Sequence, residues 1–311
     1  DEVVVTPEGD VIISGGAKAG SSSNDVFTIK YDGDTGSTIW QNQYGTSANE
    51  SVRDLILAED GDAVVLISGP FGVDRQWVVL RVDGTTGDQR WVTLVDPGFD
   101  ESFGSITEGP AGTIFATGAT DPDGDDSNTN ENVITIAYEA DTGAVRWLSE
   151  FGDAGFGDAE YGASLQVGAD GLLRVLGSTI ADALTGEMFD RDALMLTYDP
   201  ADGALLGVSL YEFSDPGSED GDRFYTSGLD AMGRVYAFGV ANSGDLLATR
   251  FSFPSACSPD LDGDGKLDFF DVSAFLNAYN AMDPVADFNG DGKFSFFDVS
   301  SFLNQFNAGC P

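Results

Sequence analysis

The sequence predicts a mainly β protein made of repeated four-stranded sheets, with a small helical module at its carboxyl end. Three observations lead there. Short apolar runs alternate with turns through residues 1–253, one turn signature returns every 50 to 60 residues or so, and residues 254–311 switch to an Asp-rich, helix-period pattern.

Each repeat opens with a hairpin, namely VVVTPEGDVIISGG at 3–16, LILAEDGDAVVLISG at 55–69, SITEGPAGTIFATG at 105–118, LQVGADGLLRVLG at 165–177 and SGLDAMGRVYAFG at 227–239. Turn residues separate a pair of apolar strands every time. A third strand follows, with alternating apolar sets Phe27, Ile29, Tyr31, then Val78, Leu80, Val82, then Ile134, Ile136, Tyr138, then Leu194, Leu196, Tyr198. That alternation reads as a half-buried strand. Each of these runs ends in an acidic turn closed by glycine, Asp32 to Gly36, Asp83 to Gly87, Glu139 to Gly143 and Asp199 to Gly203. Trp40, Trp91 and Trp147 stand four residues beyond the first three glycines, where the fourth repeat has Gly207. The units span about 1–45, 50–96, 101–152, 160–213 and 222–253, so the expected architecture of 1–253 is a five-bladed β-propeller, with a parallel β-helix as the rival. The last unit is one strand short. Its missing strand is expected from residues preceding Asp1 or from a neighbouring molecule by strand addition, the second route giving head-to-tail polymers.

Residues 254–311 hold two near-copies of one loop, Asp260-Leu-Asp262-Gly-Asp264-Gly-Lys266-Leu-Asp268-Phe-Phe-Asp271 and Asp287-Phe-Asn289-Gly-Asp291-Gly-Lys293-Phe-Ser295-Phe-Phe-Asp298. A hard divalent cation takes about six to eight oxygens, and alternation turns every second side chain inward to supply them. Gly265 and Gly292 fill the sixth position, where the loop bends sharply. Lys266 and Lys293 offer backbone carbonyls, Asp268 and Ser295 stand ninth, and Asp271 and Asp298 close the loops at twelve, with Asp in place of the usual Glu. Each loop runs into an amphipathic segment in which Val272, Phe275, Leu276 and Tyr279 match Val299, Phe302, Leu303 and Phe306.

The paired loops and helices, 27 residues apart, resemble a dockerin, the calcium-dependent module by which secreted bacterial proteins plug into a cohesin. The resemblance implies two bound Ca2+ ions, a secreted or cell-surface setting, and a partner surface at Phe269, Phe270, Phe296 and Phe297 with Leu276, Asn277, Leu303 and Asn304 beside them. One Phe of at least one pair is expected to plug the module's core instead. Cys257 and Cys310 bracket the module, as in a Cys-bracketed dockerin variant, and because dockerin ends lie close together the resemblance implies a disulfide between them. Free thiols or a metal pair are the alternatives; a zinc site needs about four clustered ligands, and the chain has no His. The upstream repeats are similar to secreted bacterial propeller-repeat families.

Charge and motifs exclude several functions. Asp and Glu number 53 against 14 Lys and Arg, a net charge of -39 that repels nucleic acid and anionic lipid. No apolar stretch reaches the roughly 18 residues of a membrane span. Without His there is no His-based triad, and no phosphate or dinucleotide loop is present, so the expectation is a non-enzymatic protein for attachment or assembly. A glycosidase-type propeller needs only two carboxylates and stays as the enzyme alternative, with carbohydrate as its ligand. The acidic turn residues Asp32, Asp83, Glu139 and Asp199 are expected to accept hydrogen bonds from the amides that follow them. A further ion near Asp121, Asp123 and Asp125 is open, although that loop lacks glycine at its sixth position and reads first as a solvated turn. The partner is expected to be a cohesin-like protein or a neighbouring copy of this chain.

Overall fold

The computed structural model describes residues 1–18, 23–70, 75–95, 99–121, 131–152, 161–180, 191–211, 221–230, 234–241, 245–251, 259–261, 267–286, 288 and 293–308. By packing, the chain divides into two compact units, one of residues 1–166, 173–227 and 237–248 and one of 167–172, 228–236 and 249–311. Among the described residues the strands form five antiparallel sheets in chain order. Sheet 1 comprises β1 (Glu2–Val5), β2 (Val11–Ala17), β3 (Asp25–Tyr31) and β4 (Thr38–Tyr44). Sheet 2 comprises β5 (Ser51–Leu57), β6 (Ala63–Pro70), β7 (Arg75–Val82) and β8 (Gln89–Val95), and sheet 3 comprises β9 (Phe99–Glu108), β10 (Ile114–Asp121), β11 (Asn132–Tyr138) and β12 (Val145–Phe151). Sheet 4 comprises β13 (Tyr161–Val167), β14 (Leu173–Ile180), β15 (Arg191–Tyr198) and β16 (Leu205–Tyr211), while sheet 5 has three strands, β17 (Arg223–Leu229), β18 (Val235–Ala241) and β19 (Asp245–Phe251).

The second strand of each repeat pairs with both the first and the third, as the hairpin signatures require. In sheet 2, for instance, Ala63 lies opposite Leu57 on one side and Val82 on the other. The expectation of half-buried third strands holds for sheet 1 and fails for sheet 3, where every residue of β11 is buried. The reason is that successive sheets cover one another. Ile12, Val26 and Trp40 of sheet 1 share a core with Val65, Ile67, Val78 and Leu80 of sheet 2. The other face of sheet 2, with Val64, Leu66, Trp77, Val79 and Trp91, packs on Ile106, Ile114, Ala116, Ile134 and Ile136 of sheet 3. We call the face turned to the preceding sheet leading and the other trailing.

The repeated Trp ties each junction. Nε1 of Trp40 donates to the Gly84 carbonyl at 3.0 Å, that of Trp91 to Ala140 at 2.8 Å and that of Trp147 to Pro200 at 3.0 Å, each acceptor lying in the acidic turn of the next sheet. Cations converge on the first two carbonyls, with the half-buried Lys30 Nζ 3.3 Å from Gly84 O and the buried Arg81 Nη1 3.1 Å from Ala140 O. Arg81 is held in turn by Asp62 and Asp60, each at 2.7 Å. A Cβ on Gly87, Gly143 or Gly203 would run into Trp40, Trp91 or Trp147 respectively. All three glycines have positive φ, so backbone conformation and the approaching indole both require glycine.

The turn carboxylates behave as expected at three of four positions. Asp32 accepts from the Thr35 amide at 2.7 Å, Asp83 from Thr85 and Thr86 at 2.8 and 2.9 Å, and Asp199 from Ala201 at 2.9 Å. Glu139 departs from the pattern, its longer side chain pairing with Arg146 at 3.2 Å. Hydrogen bonding from Thr35, side chain then backbone, holds the Asp32 carboxyl below its ordinary 3.8, and the Thr86 and Thr85 amides do the same for Asp83.

Two measurements check this account. Gly143→Ala is expected to destabilise the fold by about 1–3 kcal/mol more than Gly36→Ala in urea unfolding, because both alter a positive-φ glycine but only Gly143 faces a Trp. A depressed carboxyl pKa stabilises above the unfolded value and loses that contribution as pH falls through the folded one. NMR titration of Asp32 and Asp83 should therefore give midpoints below 3.8, and stability should decline across that acid range.

Candidate metal centre

The carboxyl-terminal module is built on two helices, α1 (Phe269–Ala281) and α2 (Phe296–Ala308). The loop motif alone would start them at Asp271 and Asp298; both begin two residues earlier. Capping explains the difference. Asp268, in extended conformation, accepts from the Phe270 amide at 2.7 Å, while Asp271 reaches back to accept from the Asp268 amide at 2.8 Å, so the pair forms a reciprocal capping box. The second copy repeats the reach, with the Ser295 amide donating to Asp298 at 2.7 Å. Asp271 also accepts from the Leu261 amide at 2.8 Å, tying the start of the first loop to its end.

The module's core is aromatic. Phe275 and Phe302 stack face to face at 4.2 Å and 5°, and Phe288 meets both edge-on at 5.6 and 5.2 Å. Ala286 is buried with them, and Val272, Ala278, Tyr279, Phe294, Val299 and Phe306 pack around them. Leu276 and Leu303, expected on the same apolar face, are exposed. Neither Phe of the first pair plugs the core, since Phe269 and Phe270 both lie at the surface, as does Phe296 of the second pair, while Phe275, Phe288 and Phe302 pack in the interior. The side chain of Phe297 lies outside the described residues.

Of the twelve predicted ligands, the structure describes Asp260, Asp268, Asp271, Lys293, Ser295 and Asp298. Asp260 is buried, and Asp271 and Asp298 have no exposed surface at all. Asp262, Asp264, Lys266, Asp287, Asn289 and Asp291 lie outside the described residues, as do Asp123, Asp125, Cys257 and Cys310. Among the described residues no three His, Cys, Asp or Glu side chains converge as a metal group. The donor chemistry nevertheless fits a hard cation. Each loop ends on a fully buried carboxylate that accepts from a backbone amide, and a carboxylate oxygen that accepts one hydrogen bond keeps a further lone pair for a metal.

Sequence reasoning missed the cations at the sheet junctions, Lys30 and Arg81. Both stand one residue before the apolar residue that opens an acidic turn, a register that would have marked them.

No family model matches the chain, and no curated protein matches it. Among solved structures, it is similar to a protein of unknown function from Dyadobacter fermentans, at 12% identity over 81% of this chain and 78% of that one, with a TM-score of 0.51. Lower similarity links it to a protein of unknown function from Bacteroides caccae (9% identity, 80% of each chain, TM-score 0.43) and an α-L-arabinanase from Penicillium chrysogenum (11%, 79% of each, 0.49). The Dyadobacter likeness is one of fold alone.

Phe302→Ala is expected to lower the stability of the module by about 3–5 kcal/mol, whereas Leu303→Ala at the surface should change it by less than about 0.5 kcal/mol. Thermal melts of the two variants in calcium would check the contrast.

Proposed function

We propose that the chain is a secreted, non-enzymatic, calcium-binding protein for extracellular attachment or assembly, its five sheets being propeller-type blades and its tail a dockerin-like connector. The observation that carries this reading is the pair of matched loop-and-helix units, each closing on a fully buried Asp at the twelfth loop position. Asp260, Asp262, Asp264, Lys266, Asp268 and Asp271 hold one ion in this reading, and Asp287, Asn289, Asp291, Lys293, Ser295 and Asp298 the other. Calcium, when bound, neutralises the clustered carboxylates of a strongly acidic chain. Asp271 and Asp298 then serve two ends at once, as loop-closing ligands and as anchors for helix-start amides.

Phe269, Phe270 and Phe296 support the docking role, because they are large apolar side chains held at the surface, with the exposed Leu276 and Leu303 two turns on from Phe269 and Phe296 along the same helices, and a partner would cover them. The partner is a cohesin-like protein or another copy of this chain. A disulfide between Cys257 and Cys310 belongs to the same proposal and requires an oxidising compartment. A non-catalytic role for the sheets is supported by their turn carboxylates, which Asp32, Asp83 and Asp199 spend on backbone amides.

Isothermal titration should show two Ca2+ ions bound per chain. Limited proteolysis should cut within 257–311 in excess EDTA and spare that region in calcium. Equal resistance in both conditions overturns the reading.

A further inference from the structure

Sheets 1 and 5 each leave bare one half of an interface that the chain makes repeatedly within itself. Two residues after the start of each second strand stands a leading-face residue, and Val65, Ala116, Val175 and Ala237 are buried there to within 1% exposure, whereas Ile13 of sheet 1 is 37% exposed. One residue further lies the trailing face. Ser14, Leu66, Thr117 and Leu176 are buried at that position, whereas Phe238 of sheet 5 is 43% exposed.

The rest of each face follows. Val3 and Val5 of β1 are 61% and 62% exposed, and Phe27, Ile29 and Tyr31 are only half-buried where Val78, Leu80 and Val82 of sheet 2 are sealed. On sheet 5, Leu246 of β19 is 86% exposed beside Phe238, and Ala248 is exposed as well. Gly36 adds an independent sign. A Cβ on its equivalents would strike the preceding sheet's Trp, but one on Gly36 would meet nothing within 4 Å. Sheet 1 thus has an apolar leading face and an acidic turn of the kind that neighbours cover elsewhere, left largely uncovered among the described residues.

We propose that the leading face of sheet 1 docks the trailing face of sheet 5 of a second copy, giving head-to-tail association. The occupant is a second copy because the two bare surfaces occupy complementary positions of one repeat, so each presents what the other meets inside the chain. Being heterologous, the contact propagates instead of stopping at a two-fold dimer. It is weaker than the internal junctions, since the sheet 5 of another copy brings no Trp to the seat at Gly36. The junction between sheets 4 and 5 already manages without one, using Gly207 in the Trp position and a Ser164–Ser227 hydroxyl contact of 2.7 Å. The net charge of -39 opposes the approach of copies, so association strengthens with ionic strength. None of these residues belongs to the calcium loops, and the inference stands apart from that reading.

Sedimentation velocity of the full chain in about 0.5 M salt, where repulsion reaches only a few ångströms, tests it. The wild type should grow in mass with concentration past the dimer. Ile13→Asp and Phe238→Asp should each remain monomeric, with Ile13→Thr and Phe238→Ser as milder substitutes should circular dichroism show that either Asp variant misfolds. An equimolar mixture should form a dimer and nothing larger, because one variant retains the sheet 1 face and the other the sheet 5 face. A wild type that stays monomeric at every concentration, single variants that associate like wild type, or a mixture that stays monomeric would each overturn the proposal.

Discussion

A four-stranded sheet has two faces and cannot bury either with its own strands, and the rest of this structure depends on how that constraint is met. Successive sheets lend each other a face. The indole of the outermost strand crosses each of the first three junctions to a turn carbonyl, so apolar contact and a directed hydrogen bond fix the same spacing. Where an indole crosses, the glycine beneath it admits no side chain. The acidic turn is therefore more than a connection between strands: it is the docking point of the sheet before it.

The repeat was legible because turn chemistry is local. An acidic residue followed four positions later by glycine determines its own backbone, whatever surrounds it, and the hairpins behave likewise. Burial was not legible, because it depends on what lies opposite. Phe27, Ile29 and Tyr31 read the same as Val78, Leu80 and Val82, yet one set is half open and the other sealed. Arg81 escaped for a related reason. A cation in a strand reads as a solvent-facing residue, whereas here two carboxylates and a carbonyl of the next sheet surround it in the interior.

In the carboxyl-terminal module the pattern located both helices and the partners of the aromatic stack but put Leu276 and Leu303 on the apolar face, where both are exposed. Phe269 and Phe270, loop positions ten and eleven of the first copy, lie on the first turn of a helix that starts earlier than the loop motif suggests, and both are exposed there. The twelfth residue was read as a ligand alone. Its second task, accepting backbone amides at the start of the helix, emerges only from three-dimensional contacts. In the proposed reading, ion binding and helix initiation would share one side chain in each half of the module.

Gly207 has a mechanical consequence. Three junctions are riveted by an indole, while among the described residues the fourth has in its place a pair of serines, a glutamine amide 3.4 Å from a carbonyl and an edge-on contact of Tyr211 with Phe224. A pull on the end of β19 therefore meets, at the seam with sheet 4, no indole clasp of the kind that fixes the three junctions before it.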